Sequence, residues 1–128
     1  MTEPKWLRQA VIEAIHDRQM AEHGGLQGLR DRALLESALA RPLNMFHHDQ
    51  SGLCDLGAAY AQGLVRNHPF LDGNKRTAFV AAYVFLHING LRLTADEVDA
   101  AQQMLALASG DLSEARFADW LRRNSLPI

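Results

Sequence analysis

The chain reads as an all-α domain of about six helices around a buried central one. Two observations predict this. Apolar residues return at three- and four-residue steps through successive segments, and Gly, Pro and capping residues separate those segments. A length of 128 residues suits one compact unit, so a single domain over residues 1–128 is expected.

Taken in order, Trp6, Leu7, Ala10, Val11, Ala14 and Ile15 mark one face of a first helix running to about Met20, which Gly24-Gly25 ends. Asp31 is placed to cap a short second helix carrying Leu34, Leu35, Ala38 and Leu39, with Pro42 as its stop. The segment 43–52 shows no period and reads as a short flap or an ordinary surface connection. Leu53, Leu56, Gly57, Tyr60 and Leu64 share a stripe, so a third helix should span about Gly52 to Asn67. Pro69 disfavours helical geometry in the residue before it, which places His68 where the chain turns out. Asn74 to Asn89 is apolar on nearly every side and is expected to be the central helix, stopped by Asn89-Gly90. Thr94 and Glu97 form a T-x-x-E capping box for a fifth helix reaching Ala108, with Leu93 and Val98 as its hydrophobic staple. A sixth helix, roughly Ser113 to Arg123, should bury Phe117, Trp120 and Leu121 and carry Arg122 and Arg123 at its negative end.

Composition narrows the function. A net charge of −2 supplies no field for phosphate backbones, so direct nucleic-acid binding is not expected. The longest apolar run, Ala78 to Leu86, is too short for a membrane span, and the amino terminus has no signal-peptide pattern, so the expected location is the cytoplasm. Cys54 is alone and reads as a small buried hydrophobe.

The stretch N-H-P-F-L-D-G-N-K-R, Asn67 to Arg76, carries the chemistry. Lys75 and Arg76 occupy the first turn of a helix, where the dipole is already positive, so ordinary helix electrostatics disfavours them there. An anion at the helix start removes the conflict, because Gly73 lets a ligand approach while N–H groups, an ammonium and a guanidinium converge on it. The alternative is that both cations pair with surface carboxylates. Asp72 would repel a phosphate unless a cation lies between them, which makes it the candidate Mg²⁺ ligand; a helix N-cap is its competing role. Asn74 is open to two readings, phosphate donor or helix cap. His68 can take a proton from an attacking hydroxyl, so it is the candidate general base. His16, His23 and His87 read as helix-surface or terminal residues, and His47-His48 would need metal ligands from elsewhere; none is given a role.

H-P-F-L-D-G-N-K-R, His68 to Arg76, resembles the signature of the Fic/Doc family, and Lys75 is similar to the form found in its Doc branch, the toxin half of toxin–antitoxin pairs. The flanking segments "HDRQMAEHGGLQGLRDRALLESALARP" and "RTAFVAAYVFLHINGLRL" resemble the same branch. The resemblance implies an all-α Fic fold. It also implies a catalytic set of His68, Asp72, Lys75 and Arg76, with Asp72 at Mg²⁺ and Gly73, Asn74, Lys75 and Arg76 around the phosphates of ATP. Fic adenylyltransferases carry Gly where this chain has Lys75 and a second Arg where it has Phe79. The difference favours the Doc reaction, transfer of the γ-phosphate of ATP to a threonine of elongation factor Tu, which arrests translation. No match to the inhibitory S/T-x-x-x-E-G/N motif of many Fic proteins is present, so restraint by an external antitoxin is expected, with the first helix and the loop from Gly24 to Arg30 as plausible contact surfaces. The alternatives are AMP transfer by a Fic-type adenylyltransferase and a catalytically inactive module that only binds its antitoxin.

Overall fold

Residues 2–128 of a computed structural model form six helices and two short strands: α1 (Gln9–His23), α2 (Arg32–Asp49), α3 (Leu53–Asn67), α4 (Asn74–Ile88), β1 (Leu91–Leu93), α5 (Glu97–Ser109), α6 (Glu114–Arg123) and β2 (Ser125–Pro127). The all-α expectation holds, with one small addition. β1 and β2 pair antiparallel, Arg92 opposite Leu126, and tie the chain after α4 to the chain after α6.

The most enclosed helix is α3 rather than α4. Nine of the fifteen residues of α3 are buried against seven of fifteen in α4, and α3 packs on α2, α4, α5 and α6. Tyr83 and Ile88 of α4 face outward instead. The reason lies in side-chain size. Gly57, Ala58, Ala59, Ala61 and Gly63 contribute little apolar signal, yet they let neighbouring helices approach closely. At Gly63 a Cβ would lie 3.2 Å from Ala38 Cα, so α2 and α3 meet there backbone to backbone.

α1 begins at Gln9, three residues later than expected, and its buried residues are Ile12, His16 and Met20. Ala10, Val11 and Ala14 are exposed. Residues 5–7 are held outside the helix by partners far along the chain. The Asn89 carboxamide exchanges two hydrogen bonds with the backbone of Lys5, and the Leu7 N–H donates to the Tyr60 hydroxyl at 3.0 Å. Trp6 stacks on Phe85 with ring centroids 6.0 Å apart. With Trp6 and Leu7 outside the helix, the apolar phase they suggested does not apply.

α2 does not stop at Pro42. It continues to Asp49, so most of the expected flap at 43–52 is the end of this helix and only Gln50–Gly52 is a connection. A proline inside a helix costs about 3 kcal/mol. Burial of Pro42 and Phe46, with Phe46 edge-on to Trp6 at 5.7 Å, works against that cost. Asp31 caps the helix as expected, accepting from Leu34 N–H at 3.0 Å.

α5 is capped by Asp96, which accepts from Asp99 N–H at 2.7 Å, and not by Thr94. The Thr94 hydroxyl and N–H both donate to the Asn124 carbonyl, which draws Thr94 toward the small sheet. Leu93 is buried in β1 while Val98 is 70% exposed, so the two form no staple. Ser113 caps α6 through Arg116 N–H, and Phe117, Trp120 and Leu121 are buried as expected. Cys54 is buried and unpaired, and burial pushes its thiol pKa up.

Candidate active site

The site forms where α3 ends and α4 begins. His68 is the C-cap of α3 with φ of 51°, one of two non-glycine residues at positive φ among those described. Such a conformation costs about 1 kcal/mol and has to be held by its surroundings. Arg30 holds it: Nε donates to the His68 carbonyl at 2.7 Å and Nη2 to the Asn67 carbonyl at 2.9 Å. The cation thereby serves the acceptor end of α3.

The loop from Gly24 to Asp31 runs beside residues 68–73 and fixes their backbone. The Pro69 carbonyl accepts from Arg30 and Asp31 N–H at 2.7 and 3.0 Å, and Leu71 N–H donates to the Gly28 carbonyl at 3.1 Å. Asp72 Oδ2 accepts from Leu26 N–H at 3.3 Å and Oδ1 from Gly73 N–H at 2.8 Å. Asp72 therefore does not cap α4; that position belongs to Gly73, with φ of 74°.

His16 supports the same loop from below, which corrects its reading as a surface residue. It is 1% exposed, its ring lies 3.9 Å from that of Phe70 at an interplanar angle of 6°, and Nε2 lies 2.8 Å from the Asp72 carbonyl oxygen. A carbonyl only accepts, so Nε2 carries the proton. Its spacing from Ile12 and Met20, four residues each way, is the signal that places it on the buried face.

Asn74 is 4% exposed and closes the loop on itself. Its Oδ1 accepts from Phe70 N–H and its Nδ2 donates to the Phe70 carbonyl, both at 3.0 Å. Of the two readings left open for its side chain, the helix cap does not hold, because Gly73 occupies that position, and the bond to Phe70 uses one of the two N–H groups of the amide. The backbone N–H of Asn74 is also free of an intrahelical acceptor.

Among the described residues no side chain caps α4, and the first backbone bond of the helix runs from Thr77 N–H to the Gly73 carbonyl. The N–H groups of Asn74, Lys75 and Arg76 are thus left at the positive end of the helix without intrahelical acceptors. Among the described residues, neither Lys75 nor Arg76 makes a salt bridge with a carboxylate. His68, Asp72, Gly73, Asn74, Lys75 and Arg76 all line one open cleft of about 470 Å³. The structure brings every sequence-derived candidate to that cleft. It adds Arg30 and His16, which shape the loop behind it.

The model of the Fic/DOC family matches residues 6–86, which take in α1 to α3, α4 as far as Leu86, and the whole of this loop. The chain belongs to the Fic/DOC family. Within the family it is similar to a protein named Toxin Doc from Mycolicibacterium smegmatis, with 47% identity over 85 residues that cover 64% of this chain and 65% of that one. It is also similar to a protein named Protein kinase doc from Escherichia phage P1, with 33% identity over 111 residues, 86% of this chain and 87% of the relative. The resemblance to the Doc branch read from His68 to Arg76 agrees with both names. The six-helix architecture fits an all-α Fic fold.

Proposed function

We propose that this chain is the toxin of a toxin–antitoxin pair and transfers the γ-phosphate of ATP to a hydroxyl of a protein, with a threonine of elongation factor Tu as the acceptor. The carrying observation is the junction of α3 and α4. An uncapped helix start with two unpaired cations shares one cleft with an imidazole and a carboxylate. The names of the two relatives, a toxin and a protein kinase, support the same reading.

In this reading the N–H groups of Asn74, Lys75 and Arg76, with the two cationic side chains, hold the phosphates and neutralise developing charge. His68 accepts the proton of the attacking hydroxyl. The hydroxyl oxygen bonds to the γ-phosphorus, the bond from that phosphorus to the bridging oxygen breaks, and ADP leaves. Asn74, His16 and Arg30 act at one remove by fixing the loop.

Mg²⁺ fits this site only together with substrate. Among the described residues no three metal-ligating side chains cluster, and Asp72 is the one carboxylate lining the cleft. Asp72 and the phosphate oxygens would hold the ion, which supplies charge neutralisation. We further assign the protein to the cytoplasm, restrained there by a cognate antitoxin. Among the described residues no helix is long and apolar enough to cross a membrane.

The test is incubation of elongation factor Tu with the protein, magnesium and ATP labelled at either the α or the γ position. Label from the γ position, with a mass gain of one phosphate and loss of both when His68→Ala is used, is the expected result. Label from the α position makes the protein an adenylyltransferase. If neither label appears while His68→Ala still arrests growth, an inactive binding module explains the chain better.

A further inference from the structure

A second cleft, of about 500 Å³, lies on the other side of the C-terminal turn of α3, between α2, α3 and the turn joining α5 to α6. It is lined by two cations, Arg41 and Arg66, and one carboxylate, Glu114. The protein as a whole is acidic, so a net positive cleft is a local feature. Arg41 pairs with Glu114 through Nη2. Its Nη1 is shielded from solvent and has no acceptor. A buried donor without a partner is unfavourable, and an incoming acceptor would remove that penalty. Among the described residues Arg66 is met only by the neutral carboxamide of Gln62, whose oxygen accepts from it at 3.1 and 3.2 Å. Arg41 thus keeps one free donor and Arg66 has no anionic partner among the described residues.

The position of this cleft gives it a role in the reaction. Asn67 lines it while the next residue, His68, lines the proposed catalytic cleft; Leu107 and Ala108 divide in the same way. The two clefts share the C-terminal turn of α3 as a common wall. An extended polypeptide advances about 3.3 Å per residue, so a chain presenting its hydroxyl to His68 carries side chains two to four residues away across that turn.

We infer that the cleft around Arg41 and Arg66 receives an acidic side chain of the protein substrate, a few residues from the hydroxyl that is modified. This inference rests on the reading of His68 and its loop as a protein-modifying site. A guanidinium takes a carboxylate in a two-point arrangement, which gives register as well as attraction. Glu114 occupies part of Arg41 in the free protein and yields when the substrate carboxylate arrives.

The experiment measures binding, so it does not depend on catalysis. Fluorescent peptides with one central threonine and a single glutamate placed in turn at each flanking position, otherwise neutral, are titrated with the full chain in the presence of magnesium and ADP. Tighter binding at one offset is expected, weakened about tenfold by Arg41→Gln. Glu114→Gln should tighten it, an effect that a folding defect cannot mimic. Equal binding at all offsets, or a preference that survives both Arg41→Gln and Arg66→Gln, overturns the inference. So does complete displacement of the peptide by millimolar inorganic phosphate, which marks a site for any small anion. If the offset preference is found but no label ever passes from ATP to protein, the catalytic reading falls and the acidic-peptide site stands.

Discussion

Replacing Asn74 by alanine tests the loop without touching a group that contacts substrate through its side chain. The wild-type carboxamide satisfies both the N–H and the carbonyl of Phe70, and neither has another protein partner. Phe70 is 1% exposed, so the freed groups would find little water. Each orphaned buried backbone group costs roughly 1–3 kcal/mol, and partial rescue by solvent brings the expected total to about 2–4 kcal/mol. Equilibrium urea unfolding followed by the fluorescence of Trp6 and Trp120 provides the assay. A background of His68→Ala allows the protein to be produced without harm to the host. For a chain of this size the midpoint should fall by roughly 1–3 M with an unchanged slope. Asn74→Asp keeps an acceptor for the Phe70 N–H but turns an oxygen toward the Phe70 carbonyl, so it should be no more stable than the alanine variant. A loss below about 1 kcal/mol for Asn74→Ala would refute the argument that this residue holds the loop closed.

Other perturbations have distinct signatures. His16→Ala removes the donor to the Asp72 carbonyl and the ring beneath Phe70, and should cost about 2–4 kcal/mol in the same assay. Gly73→Ala places a Cβ at positive φ and against Met20 Cε; the methionine can swing away, so the expected loss is about 1–2 kcal/mol of stability, with weaker ATP binding by calorimetry. Arg30→Met should leave the carbonyls of Asn67 and His68 without their donor and raise amide hydrogen exchange in the last turn of α3 more than in α6. The Cys54 thiol, its pKa raised by burial, has little thiolate at neutral pH, so alkylation should be much slower than for a free cysteine until denaturant is added. Its direction of linkage follows: burial favours the protonated thiol, and stability falls as pH rises through the thiol range of the unfolded chain.

The loop from His68 to Arg76 was legible in the sequence because Lys75 and Arg76 conflict with helix electrostatics, and the structure places them with His68, Asp72, Gly73 and Asn74 on one cleft. What supports the loop was much less legible. Arg30 acts on residues 37 and 38 positions away, and His16 on one 56 away, and local periodicity carries no information about such pairings. The errors have the same origin. Thr94 looked like a cap until Asn124, thirty positions on, took its hydroxyl, and Pro42 looked like a stop until tertiary burial of the following turn outweighed the missing hydrogen bond. The first helix lost Trp6 and Leu7 to contacts with Phe85 and Tyr60. Its true buried face was still visible as a four-residue step through Ile12, His16 and Met20.

The crossing at Gly63 has a wider consequence. A methyl group there would press on Ala38 Cα at 3.2 Å and Ala38 O at 3.3 Å, which are main-chain atoms and cannot swing aside. Any bulkier residue would therefore lever the two helices apart about that point. Arg41 and Arg66 each stand three positions beyond it, one on each arm. This single glycine sets the gauge between the two guanidinium groups; on the proposed reading of their cleft, a relative that keeps every other feature but exchanges it would favour a different charge spacing in its polypeptide substrate.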